Sequence, residues 1–204
     1  MCANASSDDP RTMRTKAALI HALVALMNEK PFESISVKDI INRAGLARST
    51  FYLYYLDKFD FIEKTMDHIL SQYEHCVEQY DLLPYHDAIL KRGEGMFRYI
   101  AENAGFYRVM LGDNGIPAFR SKMSEIGRKY FYLRYYQLAM QGLSEKDKAQ
   151  QADRFSVMAD YIVAGKIGAI CDWLKSDCRL SAEYMAHTTS DFAYKLLNDW
   201  IAQI

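Results

Sequence analysis

The side chains best suited to chemistry crowd into one stretch, Arg48-Ser-Thr-Phe-Tyr-Leu-Tyr-Tyr-Leu-Asp-Lys58. A guanidinium such as that of Arg48 donates two parallel hydrogen bonds to a guanine edge, and the hydroxyls of Ser49 and Thr50 bond bases or phosphates. The phenols of Tyr52 and Tyr54 match phosphate oxygens. Lys58 falls at the start of a helical pattern, where unpaired backbone amides already favour a phosphate. Donors gathered without a nucleophile, a general base or a metal set point to nucleic-acid binding.

Positioning these groups takes two short helices around a tight turn. Val37, Ile40, Ile41 and Ala44 recur at i, i+3, i+4 and i+7, so one face of a supporting helix meets the core. Ser36 suits its N-cap, with Asp39 three residues on approximating a capping box. Gly45 supplies the left-handed backbone of the turn. Phe51 and Tyr55, four apart, are the inward anchors of the second helix. Ser49, Thr50, Leu53 and Tyr54 then lie on the opposite side, flanked by Arg48 and Tyr52. This is how a chain presents a reading helix to a DNA groove. Upstream, Met13, Ala17, Ile20, Leu23, Val24 and Met27 repeat at helical spacing across Thr12–Glu29, and Lys30-Pro31-Phe32 ends that helix.

This block closely resembles the N-terminal domain of the TetR family of bacterial transcriptional regulators. The matching residues are Phe32, Ser36 through Ile40, Ala44-Gly45-Leu46, Thr50-Phe51-Tyr52, Tyr54-Tyr55 and Lys58. The resemblance implies a homodimer on a palindromic operator in double-stranded DNA, acting as a repressor relieved by an effector. It implies base contacts from Arg48, Ser49 and Thr50, and phosphate contacts from Ser36, Tyr52, Tyr54 and Lys58. Lys38 is a further candidate for the groove. Three positions depart from the family pattern. Leu53 is apolar and can meet a thymine methyl, Ala47 replaces the usual capping group, and Phe59 stands where an acid is frequent.

Charge agrees with a binding head. From Pro10 to Lys58 there are eight basic and four acidic residues, a surplus of four, although the whole chain of 204 residues carries a net charge of −1. The remainder is therefore acidic, and a locally basic head on an acidic body fits a DNA-binding module fused to another unit. Half the residues are hydrophobic and a quarter charged, enough for a sizeable core.

Beyond the head every pattern is helical. Lys58–Tyr80 reads as a long connecting helix with Phe61, Ile62, Thr65, Met66, Ile69, Tyr73 and Val77 inward, and Leu82-Leu83-Pro84 reads as the joint. Helices are expected over Asp87–Asn103, Phe106–Leu111, Ile116–Met140, Lys146–Lys175 and Ala182–Ile204. The expected fold is all-α with about nine helices, a three-helix DNA-binding head on a larger regulatory and dimerisation body. The divisions are an arm over 1–10, the head over 11–58, the connecting helix over 59–83 and the body over 84–204.

The small residues Ala164, Gly165, Gly168 and Ala169 allow close approach of another backbone, in a dimer or in an internal crossing. The last helix offers Tyr184, Met185, Thr188, Phe192 and Leu196, so a homodimer through the last two helices is the economical reading. Aromatic residues from Phe97 to Tyr136 serve as core, or as walls of a pocket. The segment Met96–Tyr107 resembles a C-terminal subtype of Gram-positive members, some of which pair with a dihydroxyacetone kinase-like protein. The effector is therefore a small molecule or a protein.

Other classes find little support. His68 and His75 with Cys76 lack a third ligand at a useful spacing, so no metal and no cofactor are expected. No catalytic constellation is recognisable, and no enzyme activity is expected. Cys2, Cys76, Cys171 and Cys178 are sparse, as in a reducing compartment. The polar N-terminus lacks an apolar leader, and the longest apolar run, Tyr161–Ile170, is too short to span a bilayer, so a cytoplasmic protein without a membrane partner is expected.

Overall fold

Serine hydroxyls start three of the helices. Ser36, Ser144 and Ser181 accept hydrogen bonds from the amides of Asp39, Asp147 and Tyr184, satisfying donors that a helix N-terminus leaves unpaired. In the computed structural model, which describes residues 9–78 and 85–203, the helices are α1 (Pro10–Met27), α2 (Val37–Ala44), α3 (Arg48–Tyr52), α4 (Lys58–Glu78), α5 (Tyr85–Glu102), α6 (Ala104–Leu111), α7 (Pro117–Ala139), α8 (Glu145–Lys175) and α9 (Ala182–Ile201). A 3₁₀ turn at Phe32–Ser34 joins α1 to α2, and no strand occurs among the described residues. Among the described residues the expectation of an all-α fold with about nine helices holds. The joint at Leu82-Leu83-Pro84 and most of the N-terminal arm lie outside the described residues.

The head packs α1 against α2, with α3 tucked beside α2 and α4 leading away. Gly45 ends α2 in the left-handed region at φ 66°, and its amide bonds back to the carbonyls of α2. In the body α5 packs along α9 and α4, α7 crosses α8, and α6 touches α7, α8 and α1. The α7–α8 crossing is tight, because a Cβ at Gly127 would sit 2.9 Å from a methyl of Val163. One apolar cluster runs without a break from Leu19 and Phe51 through Phe97 and Phe119 to Trp173. A second, around Phe131, Phe155, Leu197 and Trp200, closes the far end.

One expected face shifts. On α1 the buried residues are Leu19, Ala22, Leu23, Leu26 and Met27, whereas Met13 is 50% exposed and Ala17 is exposed too. The head core begins at Leu19, above the exposed Met13 and Ala17. On α9, Met185 is buried while Tyr184, Phe192 and Leu196 face out. The α4 face appears as expected through Tyr73.

Phe51 is fully buried and Leu53, two residues away, is 73% exposed. Phe51→Ala is expected to cost about 3–5 kcal/mol and Leu53→Ala no more than about 0.5 kcal/mol. Urea unfolding followed by circular dichroism measures both.

Candidate nucleic-acid interface

Helix α3 has no side-chain cap, since Ala47 offers no acceptor, and it spans only five residues. Its position comes from Phe51, whose ring lies 5.4 Å from that of Tyr55 and 5.7 Å from that of Phe61 on α4. With Phe51 facing in, Arg48, Ser49, Tyr52 and Leu53 face solvent and Thr50 is half-buried. Arg48 lies over the ring of Tyr52, 5.4 Å from its centroid, with a long contact of 3.5 Å from Nη2 to the Tyr52 hydroxyl. The pair is poised together, and a stacked guanidinium keeps its outward donors available.

Tyr54 sits at the rim between α3 and α1. It is half-buried, its hydroxyl is 3.3 Å from Oγ1 of Thr12, and the Lys16 ammonium lies 5.9 Å above its ring. The sequence patterns did not single out Thr12, because its partner is 42 residues away. Lys38 is exposed on the first turn of α2.

Ser36 is exposed and forms the full capping box with Asp39. Asp39 Oδ2 accepts from the Ser36 amide and hydroxyl, each at 2.9 Å, and from Lys30 Nζ at 3.0 Å. These contacts, led by the Ser36 amide, hold the Asp39 carboxyl down from 3.8 to about 2.

Lys58 differs most from its expected role. Its Nζ donates to the backbone carbonyls of Phe32, Glu33 and Ile35 at 3.1, 2.9 and 2.9 Å, while the Phe32 and Phe59 rings lie within 5.2 Å. An ammonium has three protons, and these carbonyls take all three. A phosphate would have to displace one of them, so Lys58 ties the start of α4 to the turn before α2. The N-terminus of α4 is further fixed by Asp57, whose Oδ1 accepts from the amides of Phe59 and Asp60.

Leu56, which the patterns did not single out, and Phe59 are 80% and 62% exposed next to this surface. His68 and His75 are exposed while Cys76 is buried, so those three do not converge, and no metal-binding cluster occurs among the described residues. Among the described residues no helix is long and apolar enough to cross a membrane.

A basic head with a two-helix reading unit on an all-helical body defines a helix-turn-helix DNA-binding protein. Two family models match: "Bacterial regulatory proteins, tetR family" over residues 19–64 and "Transcriptional regulator C-terminal region" over 91–195. The chain belongs to the TetR family and is a DNA-binding transcriptional regulator rather than an enzyme. A curated relative, the uncharacterised helix-turn-helix regulator YxbF of Bacillus subtilis, is 36% identical over 52 residues, which are 26% of this chain and 14% of that protein. A TetR-family regulator of Syntrophomonas wolfei shares the fold with a TM-score of 0.67 at 16% identity, over 91% of this chain and 95% of that one. The fatty acid degradation regulator FadR of Bacillus halodurans follows at 0.61 and 17%, over 92% and 96%. The dihydroxyacetone kinase operon activator DhaS scores 0.57 at 16%, over 90% and 96%.

Two outcomes test this geometry in the absence of DNA. Lys58→Met should lower stability by about 1–3 kcal/mol, since it strands carbonyls that were paired. A lysine serving only phosphate would leave thermal unfolding unchanged. The Asp39 contribution is present above the ordinary carboxylate value and fades as pH falls from about 4 toward 2. Asp39→Asn should flatten the pH dependence of unfolding in that window, and a carboxyl NMR titration should place the Asp39 midpoint near its low end.

Proposed function

We propose that the chain is a homodimeric repressor of a palindromic operator, released when an effector enters its body. Arg48, Ser49 and Thr50 read base edges, Ser36, Tyr52 and Tyr54 hold phosphates, and Lys38 stands at the groove margin. Lys58 serves this grip indirectly, by fixing the start of α4. The working divisions are a DNA-binding head over 11–58, a connecting helix over 59–83 and a regulatory and dimerisation body over 84–204.

The outward face of α8 and α9 carries the reading. Tyr161 is 72%, Val157 69% and Phe192 65% exposed, a run of large apolar groups open to water. Ala164, Gly165 and Gly168 are exposed on α8 beside them. A Cβ added at Gly165 or Gly168 would meet nothing within 4 Å. An internal helix crossing would fill that space, so small residues there favour close approach by a second copy. Two helices per subunit then form a four-helix contact, and two heads meet half-sites about one helical turn apart.

The alternative is an activator whose body binds a dihydroxyacetone kinase-like protein. The likeness to the operon activator DhaS supports it at the level of fold only. A cavity of about 130 Å³ lined by α4, α5, α7, α8 and α9 favours the small ligand.

Light scattering after size exclusion, joined to gel shifts on duplexes selected from a random pool, tests the proposal. Wild type should run as a dimer, and Tyr161→Glu with Phe192→Glu as a folded monomer with weakened operator binding. Arg48→Ala should lose roughly 1–3 kcal/mol and relax preference at one base, whereas Tyr52→Phe should weaken all sequences alike. A monomeric wild type, or binding without sequence preference, would overturn it.

A further inference from the structure

We propose that the cavity in the body is a covalent site for a small aldehyde, whose carbonyl carbon joins Nζ of Lys166 as an imine. The inference rests on the effector reading above and names the chemistry of that effector.

Helix α8 places the lysine. Val163, Lys166, Ile167 and Ile170 recur at i, i+3, i+4 and i+7, and all four line the cavity. Among the described residues that line it, Lys166 is the one lysine, on a stripe of α8 that is otherwise apolar. Met96 from α5, Met123 and Ile126 from α7 and Leu197 from α9 extend the apolar wall of the same cavity.

A lysine ordinarily runs its stem along apolar surface and keeps its ammonium in water. Lys166 does not, because the residue is half-buried and its ammonium is enclosed by protein. No described residue accepts a hydrogen bond from it or pairs with it as an ion. Desolvation alone pulls the ammonium down to about 8. Roughly a fifth of the chains then carry a neutral amine here at about pH 7.4, against about one in a thousand for an exposed lysine. The neutral amine is a nucleophile and the ammonium is not, so Lys166 reacts with a carbonyl where surface lysines stay protonated.

The step balances without a further reagent. The amine lone pair forms a C–N bond to the carbonyl carbon, both amine protons pass to the carbonyl oxygen, and that oxygen leaves as water. The size of the aldehyde follows from the volume, since a cavity of about 150 Å³ lined by aliphatic groups accepts benzene and this one measures about 130 Å³. An apolar body of about six carbons therefore fits beside the new bond.

Reductive trapping of the full chain with benzaldehyde or hexanal and cyanoborohydride, followed by peptide mapping, tests this. At limiting aldehyde Lys166 should carry the adduct at least about tenfold more often than any other lysine. Benzyl alcohol and hexanol fill the same space without forming a bond, so calorimetry should show them binding at least about tenfold more weakly than the aldehydes. Lys166→Arg keeps the charge and Lys166→Met keeps the apolar stem. Each variant should lose the adduct and the advantage of aldehyde over alcohol. Labelling spread evenly over the exposed lysines, an unlabelled Lys166, alcohols that bind as tightly as aldehydes, or folded variants that bind aldehydes like wild type would each overturn the proposal. Peptide mapping of wild type decides the matter even where a variant does not fold. A parallel gel shift separates the two readings. An adduct at Lys166 that leaves operator affinity unchanged supports the carbonyl site and sinks effector release. A compound without a carbonyl that fills the cavity and frees the DNA, with Lys166 unreactive toward the aldehydes, does the reverse.

Discussion

A helix of five residues does not hold its shape in water, because nucleation costs more than so few hydrogen bonds return. Helix α3 has that length and no side-chain cap, so its geometry depends on the burial of Phe51. The ring of Phe51 meets Tyr55 and Phe61, and Tyr55 and Phe61 lie 4.7 Å apart. On the proposed reading, the surface offered to DNA is thus the outer side of an aromatic cluster rooted in α4. Lys58 completes the arrangement by binding the carbonyls ahead of α2. Supporting helix, reading helix and connecting helix are set by one packed knot. Its outer side chains are exposed because its inner ones are buried so well.

Much of this knot was legible in the sequence because its rules act over short distances. The capping box at Ser36 and Asp39, the left-handed Gly45 and the i, i+4 pair Phe51 and Tyr55 each depend on neighbours within a few residues, and all three are in place. Lys58 was not legible, since its acceptors lie 23 to 26 residues upstream and only folding brings them near. The face of α1 misled for a related reason. Helical periodicity names a stripe, but which end of the stripe is buried is decided by packing, and Met13 stays half-exposed while Leu23 and Met27 are buried. Lys166 is the one charge in the apolar run Tyr161–Ile170, but Arg92 and Arg134 reach the same cavity only through the meeting of three helices.

Helix α8 has two faces with different consequences. Its inner side brings Val163, Lys166, Ile167 and Ile170 to the cavity, and its outer side carries Tyr161, Gly165 and Gly168 to solvent. On the proposed reading the first face meets the ligand and the second meets the partner subunit. Close packing at Gly127 and Val163 leaves little slack between α7 and α8. A displacement on one side of α8 is therefore carried to the other, as packed interiors transmit strain.

The other route runs along α4. Tyr73 lines the cavity, while Phe61 and Lys58 at the opposite end hold the reading helix. Fifteen residues separate Lys58 from Tyr73, roughly 22 Å of helix at 1.5 Å per residue. On the proposed reading, a rod of that length turns a small tilt at the cavity into a larger displacement at the DNA surface, and two half-sites at fixed spacing tolerate little displacement. Such a tilt releases DNA only if the ligand binds the tilted form more tightly than the DNA-bound one.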